Sequence, residues 1–278
     1  MELTSLSSTR KLPNGVRIPV IGFGVFKSPQ GDVTAQSVRW AVEAGYRHID
    51  AAAIYGNEES VGEGVRSCGI SREELFITSK LWNADMRAGL EEKAFMESLR
   101  KLGTDYLDLY LIHWPVECHT KSWKVLEKLY EQGAVRAIGV SNYHAQHLEA
   151  VAACANIMPM VNQYECHPYL AQKELSALTD RYGMLREAYR PLGGEGAPVL
   201  ADPELCRIAE VKGRTPDQIA LRWSLQRGFV SLVKSNHQER IIANGKVFDF
   251  ELTDEEMARI GALDRNFRTG SNPDTFTF

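Results

Sequence analysis

The chain has 278 residues, 32 basic and 36 acidic, for a net charge of −4, so no whole-protein charge excess invites nucleic acid. Its 44% hydrophobic and 24% charged fractions are ordinary for a globular protein, long enough for one large α/β domain or two small ones. Five scattered cysteines (Cys68, Cys118, Cys154, Cys166 and Cys206) show no CxxC or Cys/His ligand spacing, which argues against a disulfide framework and structural zinc and suits a reducing, cytoplasmic setting.

Met1-Glu2-Leu3-Thr4-Ser5-Leu6 lacks the basic start and apolar run of a signal peptide, and no stretch nears the roughly 20 apolar residues that span a bilayer. Asn14-Gly15 signals a two-residue hairpin turn within residues 9–19. Strand and helix patterns then alternate. Val20–Gly24 reads as a strand, followed by a helix that Thr34 can cap and that runs to about Ala44. The next pairs are strand 48–50 with helix 57–67, strand 75–80 with helix 90–102, and strand 106–112 with helix 122–132. Strand 135–140 precedes helix 145–153, strand 160–164 precedes helix 172–181, and strand 185–189 leads through a Gly-rich loop to helices 203–212 and 216–226. Strand 229–233, helix 239–247 and an extra helix 254–263 follow, and the tail from Asn266 looks irregular.

Alternating strands and helices imply βαβ units and a parallel sheet. Counted from Val20 there are eight units, the number that closes a (β/α)8 TIM barrel at a typical length of about 250 residues. An open doubly wound sheet is the alternative. It would favour a GxGxxG turn, and Gly22-Phe23-Gly24 stops short of that pattern. No composition break marks a second domain within 1–278, and no period marks a repeat array.

Barrel enzymes work at the C-terminal ends of their strands. Asp50, Lys80, His113, Ser141, Asn142, Gln163, Tyr189, Lys234 and Ser235 all fall at or just after such ends, and Tyr55 follows Asp50 closely. A phenol titrates near pH ~10, and a neighbouring ammonium favours its ionised form. Lys80 could supply that charge, with Asp50 holding it in place. His113 adds a donor for a substrate oxygen. Together these groups suit protonation of a carbonyl oxygen during reduction. Hydride must then come from a nicotinamide or a flavin, since no side chain delivers it. Each group also has a plainer explanation. An Asp–Lys pair is commonly structural, a His beside Trp114-Pro115 can be a packed core residue, and a lone Tyr can simply pack. His144 and His147 are spaced i, i+3 with no third metal ligand, and read as surface residues.

Gly45-Tyr46-Arg47-His48-Ile49-Asp50 and Ala53-Ile54-Tyr55-Gly56-Asn57-Glu58 resemble the first signature of the aldo-keto reductases. Residues 105–115, from Asp105-Tyr106 to His113-Trp114-Pro115, resemble the second. Ile138-Gly139-Val140-Ser141-Asn142 and Val161-Asn162-Gln163 match two further blocks, and Val233-Lys234-Ser235 with Arg240 and Asn244 resembles the third signature. The likeness runs from Leu12 to Asp274. The short connections after His113 and Tyr189 look most like the microbial group that includes 2,5-diketo-gluconate reductases and protozoal prostaglandin F synthases.

The resemblance implies a monomeric barrel that binds NADPH across its strand ends and reduces an aldehyde or ketone. It implies Tyr55 as general acid, Lys80 and Asp50 as its tuning pair, and His113 as the donor that orients the carbonyl. Ser141, Asn142 and Gln163 would hold the carboxamide, and Tyr189 would stack on the nicotinamide. Lys234, Ser235 and Arg240 would bind the 2′-phosphate and Asn244 the adenine. Phe26, Trp82 and Trp114 would line an apolar substrate pocket. Several positions depart from the family pattern. Arg190 stands where a Ser helps bind the pyrophosphate, and Arg186 where a strand residue is apolar. Ala243 replaces a frequent Glu, and Ala51 a frequent Thr. A charge at 186 is costly unless it reaches solvent or a carboxylate. The departures keep a second class open, a catalytically weak or non-catalytic NADP(H)-binding protein on the same scaffold. A barrel hydrolase or metalloenzyme lacks its ligand cluster.

Overall fold

A computed structural model describes residues 3–194, 196–276 and 278; Met1 and Glu2, where the N-terminal reading begins, lie outside them. β1 (Thr9–Lys11) and β2 (Arg17–Pro19) pair antiparallel. The turn is one residue longer than expected. Leu12 N donates to Val16 O at 2.8 Å and Gly15 N to Leu12 O at 2.9 Å, which leaves Pro13-Asn14-Gly15 as the loop. Pro13 presets φ for the first turn position, and Gly15 takes the left-handed value of 92° that closes a three-residue hairpin. Buried Leu12 and Ile18 seat this hairpin under the barrel, and Asn14 Nδ2 donates to Arg136 O at 2.8 Å.

β3 (Ile21–Gly24) leads to α1 (Asp32–Glu43), β4 (His48–Asp50) to α2 (Glu58–Arg66), and β5 (Phe76–Leu81) to α3 (Asn83–Ala88) and α4 (Glu91–Leu102). β6 (Leu109–Ile112) and α5 (His119–Glu131), β7 (Ile138–Ser141) and α6 (Ala145–Ala152), and β8 (Val161–Glu165) and α7 (Lys173–Arg181) follow. β9 (Leu185–Tyr189) precedes α8 (Pro203–Lys212) and α9 (Pro216–Gln226), and β10 (Val230–Val233) precedes α10 (Gln238–Asn244) and α11 (Asp254–Gly261). Strands β3 to β10 are parallel and close into a barrel, β10 pairing with both β3 and β9. The expected barrel is present. The open sheet is not.

Strands buried on both faces need no polar alternation, and β5 and β6 are buried throughout. Capping residues set several helix starts. Thr215 and Gln218 form a capping box at α9, as do Thr253 and Glu256 at α11, with Pro216 at the first position of α9. Thr34, the expected cap of α1, lies inside its first turn and donates to Pro29 O; the helix starts two residues earlier, at Asp32. Helix α3 went unread, because six residues starting after Trp82 carry too little apolar periodicity. At the N-terminal end of the barrel, fully buried Asp108 accepts from Ile77 N at 2.9 Å, Arg136 at 2.8 Å and Arg72 at 2.8 Å, tying β5, β6 and β7 together. Arg186 is accommodated from outside the barrel. Its Nε pairs with Asp180 at 3.0 Å and its guanidinium lies 5.0 Å from the Phe229 ring. No helix among the described residues is long and apolar enough to cross a membrane.

Candidate active site

The four residues expected to meet do so at the C-terminal end of the barrel. Asp50 is the last residue of β4, Lys80 lies one from the end of β5, and His113 follows β6. Tyr55 closes a short 3-10 turn, Ala53–Tyr55, which folds it back toward the strand ends. Lys80 Nζ donates to Asp50 Oδ1 at 2.6 Å, to Ala51 O at 2.8 Å and to Tyr55 Oη at 3.4 Å. Lys80 has no exposed surface, so this arrangement satisfies all three of its protons. The rings of Tyr55 and His113 meet edge to face with centroids 5.6 Å apart.

Electrostatics divide the roles. Burial works against a charged Lys80, but Asp50 first, and Tyr55 and Glu187 with it, outweigh burial and raise its pKa. Lys80 is therefore an ammonium. Burial, with the Lys80 charge second, holds His113 well below its usual range, so it is a neutral imidazole at neutral pH. Lys80 was expected to lower the Tyr55 pKa. Its charge and hydrogen bond do pull it down, but burial and Asp50 push it up, burial most strongly, and the net shift is upward. In this state Tyr55 is a protonated phenol poised to give a proton rather than to take one.

The residues expected to cradle a cofactor lie along the same rim. Asn142 adopts a left-handed φ of 65°, which Asn tolerates better than most residues. Its Nδ2 donates to His113 O at 3.0 Å and Ser141 Oγ at 3.1 Å, and its Oδ1 accepts from Tyr189 Oη at 2.6 Å. Gln163 Nε2 donates to Asp50 Oδ2 at 2.9 Å and to Glu187 Oε2 at 2.8 Å. Arg190 is also left-handed, with φ 52°, and Nη1 donates to Thr269 Oγ1 at 3.2 Å. Lys234, Ser235, Arg240 and Asn244 sit apart from the four central residues, beyond β10 and along α10. Lys234 and Arg240 are exposed, Asn244 is buried, and Ser235 Oγ accepts from His237 N at 3.0 Å, which leads the chain into α10.

The C-terminal tail, read only as irregular, belongs to the site. Phe276 stacks on Trp114 with centroids 3.9 Å apart and planes 1° from parallel. Phe278 tilts against both Trp82 and Trp114, and Asn83 Nδ2 donates to its carbonyl at 2.7 Å. Phe26 packs on Tyr55 and Trp82 on His113. Buried Glu165 is the tail's anchor, accepting from Thr269 N at 2.7 Å, Thr269 Oγ1 at 2.6 Å and Gly270 N at 2.8 Å. His144 is not a bystander. It stands one residue before α6 and its Nδ1 pairs with Asp274 at 2.8 Å, while Arg268 reaches its other nitrogen. The alternating Phe276 and Phe278 were the available sign of an apolar wall, but no periodic pattern says where a tail will lie.

Burial pushes the Glu165 pKa up, and hydrogen bonds from His167, Thr269 and Gly270 overcome this and hold it at about 2. A depressed carboxylate contributes stability above its unfolded pKa of about 4.3. That contribution is lost as pH falls toward about 2. Glu165→Gln turns an amide NH2 toward backbone donors. We expect amide exchange at Thr269 and Gly270 to speed up by roughly tenfold or more. Unaltered exchange at both positions would remove Glu165 as the anchor.

The profile of the Aldo/keto reductase family matches residues 20–265. The chain is 49% identical to the glyoxal reductase of Bacillus subtilis, covering 99% of each chain. It is 46% identical to the 9,11-endoperoxide prostaglandin H2 reductase of Trypanosoma cruzi, covering 95% of this chain and 94% of that one. Among solved structures, MGS-M4, an aldo-keto reductase from a Medee basin deep-sea metagenome library, superposes with a TM-score of 0.93 at 40% identity, covering 97% of this chain and 100% of that one.

Proposed function

The chain belongs to the aldo/keto reductase family, and from that premise we propose that it reduces aldehydes and ketones to alcohols with NADPH, as one barrel domain spanning residues 1–278. The observation that carries this reading is the position of Lys80 Nζ, buried between the Asp50 carboxylate and the Tyr55 hydroxyl. That placement tunes a phenol, and a merely structural ion pair would not need the phenol.

The residues present suit the cofactor. Both hydrogens of the Gln163 amide are spent on carboxyl oxygens of Asp50 and Glu187, and its Oε1 makes no hydrogen bond among the described residues, which leaves an acceptor for a carboxamide. Ser141 and Asn142 stand beside it, and Tyr189 offers a ring face. Lys234, Ser235 and Arg240 suit a phosphate dianion, which favours NADPH over NADH. Asn244 would sit near the adenine. NADPH, when bound, supplies the hydride.

The protein's part is to hold and protonate. His113, neutral, presents an imidazole N–H that orients the carbonyl oxygen. Tyr55 gives that oxygen its proton as negative charge builds on it. Asp50 and Lys80 keep the phenol in place and supply the positive charge that steadies the phenolate left behind. Phe26, Trp82 and Trp114, with Phe276 and Phe278, cover the apolar part of the substrate and keep water out. Since relatives are named for glyoxal and a prostaglandin endoperoxide, small dicarbonyls and aryl aldehydes are the first substrates to try. Absorbance at 340 nm follows NADPH consumption with such a panel. Turnover supports the reading. NADPH binding without turnover across the panel would favour a binding protein.

Arg190 replaces a neutral Ser, and its guanidinium lies within reach of the rim. We expect Arg190→Ser to weaken NADPH binding by roughly tenfold, the loss of one charged hydrogen bond, with turnover changed less. An unchanged dissociation constant, read from quenching of protein fluorescence, would remove Arg190 from the cradle.

A further inference from the structure

Beneath the four central residues lies a second buried carboxyl. Glu187, in the middle of β9, has no exposed surface. Its Oε2 accepts one hydrogen of Gln163 Nε2 at 2.8 Å, and Asp50 Oδ2 accepts the other at 2.9 Å. One amide thus bridges two acidic groups. Among the described residues no cation bonds Glu187, because Lys80 spends its protons on Asp50, Ala51 and Tyr55.

We propose that Glu187 is a positioning residue for the reduction, which fixes the end of the Gln163 amide that faces the cleft and sets the charge beneath Lys80 and Tyr55. The proposal rests on the reductase reading above. The geometric half follows from donor and acceptor counting. Two acceptors on the barrel floor draw the NH2 end of Gln163 downward, so its oxygen faces the rim. With Glu187 gone, only Asp50 opposes a flip that would present hydrogens to a carboxamide NH2.

The electrostatic half follows from what surrounds Glu187. His48 and Asp50 face it from β4, Lys80 from β5 and Gln163 from β8, while Ser231 of β10 turns away to Ser224 of α9. Burial first, then the Asp50 charge, push its pKa up to about 8, against the pull of Gln163 and Lys80. At neutral pH Glu187 is therefore a neutral acid, and Lys80 answers to Asp50 and Tyr55. Its Oε1 lies 3.9 Å from His48 Nδ1, and neither atom has a partner among the described residues. Burial, then Lys80, hold His48 down at about 3, so it too is neutral, with Nε2 at 3.1 Å from Thr78 Oγ1. At that separation the two atoms face each other without a hydrogen bond. Gly22 makes this approach possible, since a Cβ there would lie 2.6 Å from His48 Nδ1.

The sign is fixed by charge. Above its pKa, Glu187 adds a negative charge near Lys80 and Tyr55, which makes the phenol hold its proton to higher pH. Glu187→Gln keeps the shape and the acceptor but never ionises. Its alkaline loss of reductase activity should therefore come at lower pH than in the wild type, by roughly half a unit. Glu187→Leu, which removes the acceptor, should weaken NADP+ binding by roughly tenfold, while Glu187→Gln holds it within about twofold. A third readout needs no turnover. The cofactor-free wild type should show an infrared band of a protonated carboxyl at neutral pH that Glu187→Gln lacks.

A purely structural Glu187 would lower the unfolding temperature of Glu187→Leu and leave the pH profile of Glu187→Gln where it was. Superposed profiles in an active enzyme, or no such band, would overturn the proposal. A wild type without turnover on any carbonyl would instead overturn the reductase reading, and the positioning role with it. If Glu187→Leu does not fold, the profile and the band of Glu187→Gln still decide.

Discussion

Tyr55→Phe is expected to cut NADPH-dependent carbonyl reduction by about 10²–10⁴-fold, the range lost when a positioned acid is removed. The substitution deletes one oxygen. The ring keeps its contact with Phe26, 5.0 Å between centroids, and its edge-to-face contact with His113. Lys80 loses a 3.4 Å partner but keeps two shorter ones, so the Asp50–Lys80 pair survives. The cradle along β7 to β10 is untouched, and NADPH affinity should stay within about twofold. The pattern to look for is a fall in kcat at nearly constant cofactor dissociation constant. The upward shift of the Tyr55 pKa adds a pH signature. The acid form is present through neutral pH, so reduction should hold from acidic to neutral conditions and fall only as the phenol ionises in alkali. A Tyr55→Phe enzyme that retained more than a tenth of wild-type turnover would assign the proton to another group, with His113 the nearest candidate.

The barrel was legible because its strands and helices carry distinct periods, and eight repeats of that alternation leave few architectures. The central residues were legible for a related reason. Asp50, Lys80 and His113 each stand out as a charged or polar side chain at or near the end of an apolar strand run. Three kinds of feature were not readable. Glu187 looks like a polar residue in a strand, and nothing local says that its partner is the amide of Gln163, 24 positions away. The tail was lost because Phe276 and Phe278 gain meaning only from Trp114 and Trp82, far away in the chain. The direction of the Tyr55 shift was misjudged because charge can be guessed from neighbours in sequence, whereas desolvation depends on how tightly the closed fold packs around the hydroxyl. Arg186 taught the reverse. A charge in a buried strand looked costly, yet its guanidinium lies over the Phe229 ring and pairs with Asp180.

Lys80→Met should be the most destabilising of the substitutions considered, by about 3–5 kcal/mol, because it strands one member of a buried ion pair. Methionine matches the stem of lysine and fills its volume, so packing is conserved and the loss is electrostatic. Asp50, 3% exposed, would keep only the 2.9 Å hydrogen bond from Gln163 and stand beside Glu187 with no cation to offset it. Removing the carboxylate as well should recover part of the loss. Asn at position 50 can still accept from Gln163 while carrying no charge, so Lys80→Met with Asp50→Asn should be more stable than Lys80→Met alone. Urea unfolding of the wild type, the two single variants and the double variant closes the cycle. Activity follows a different order. Both Lys80→Met enzymes lack the ammonium that steadies the Tyr55 phenolate, so the double variant regains stability and not turnover. If it regained both, the Asp50–Lys80 pair would act on catalysis only by holding the fold. If Lys80→Met unfolded within about 1 kcal/mol of the wild type, the buried pair would be solvated or relaxed in a way its 2.6 Å contact denies.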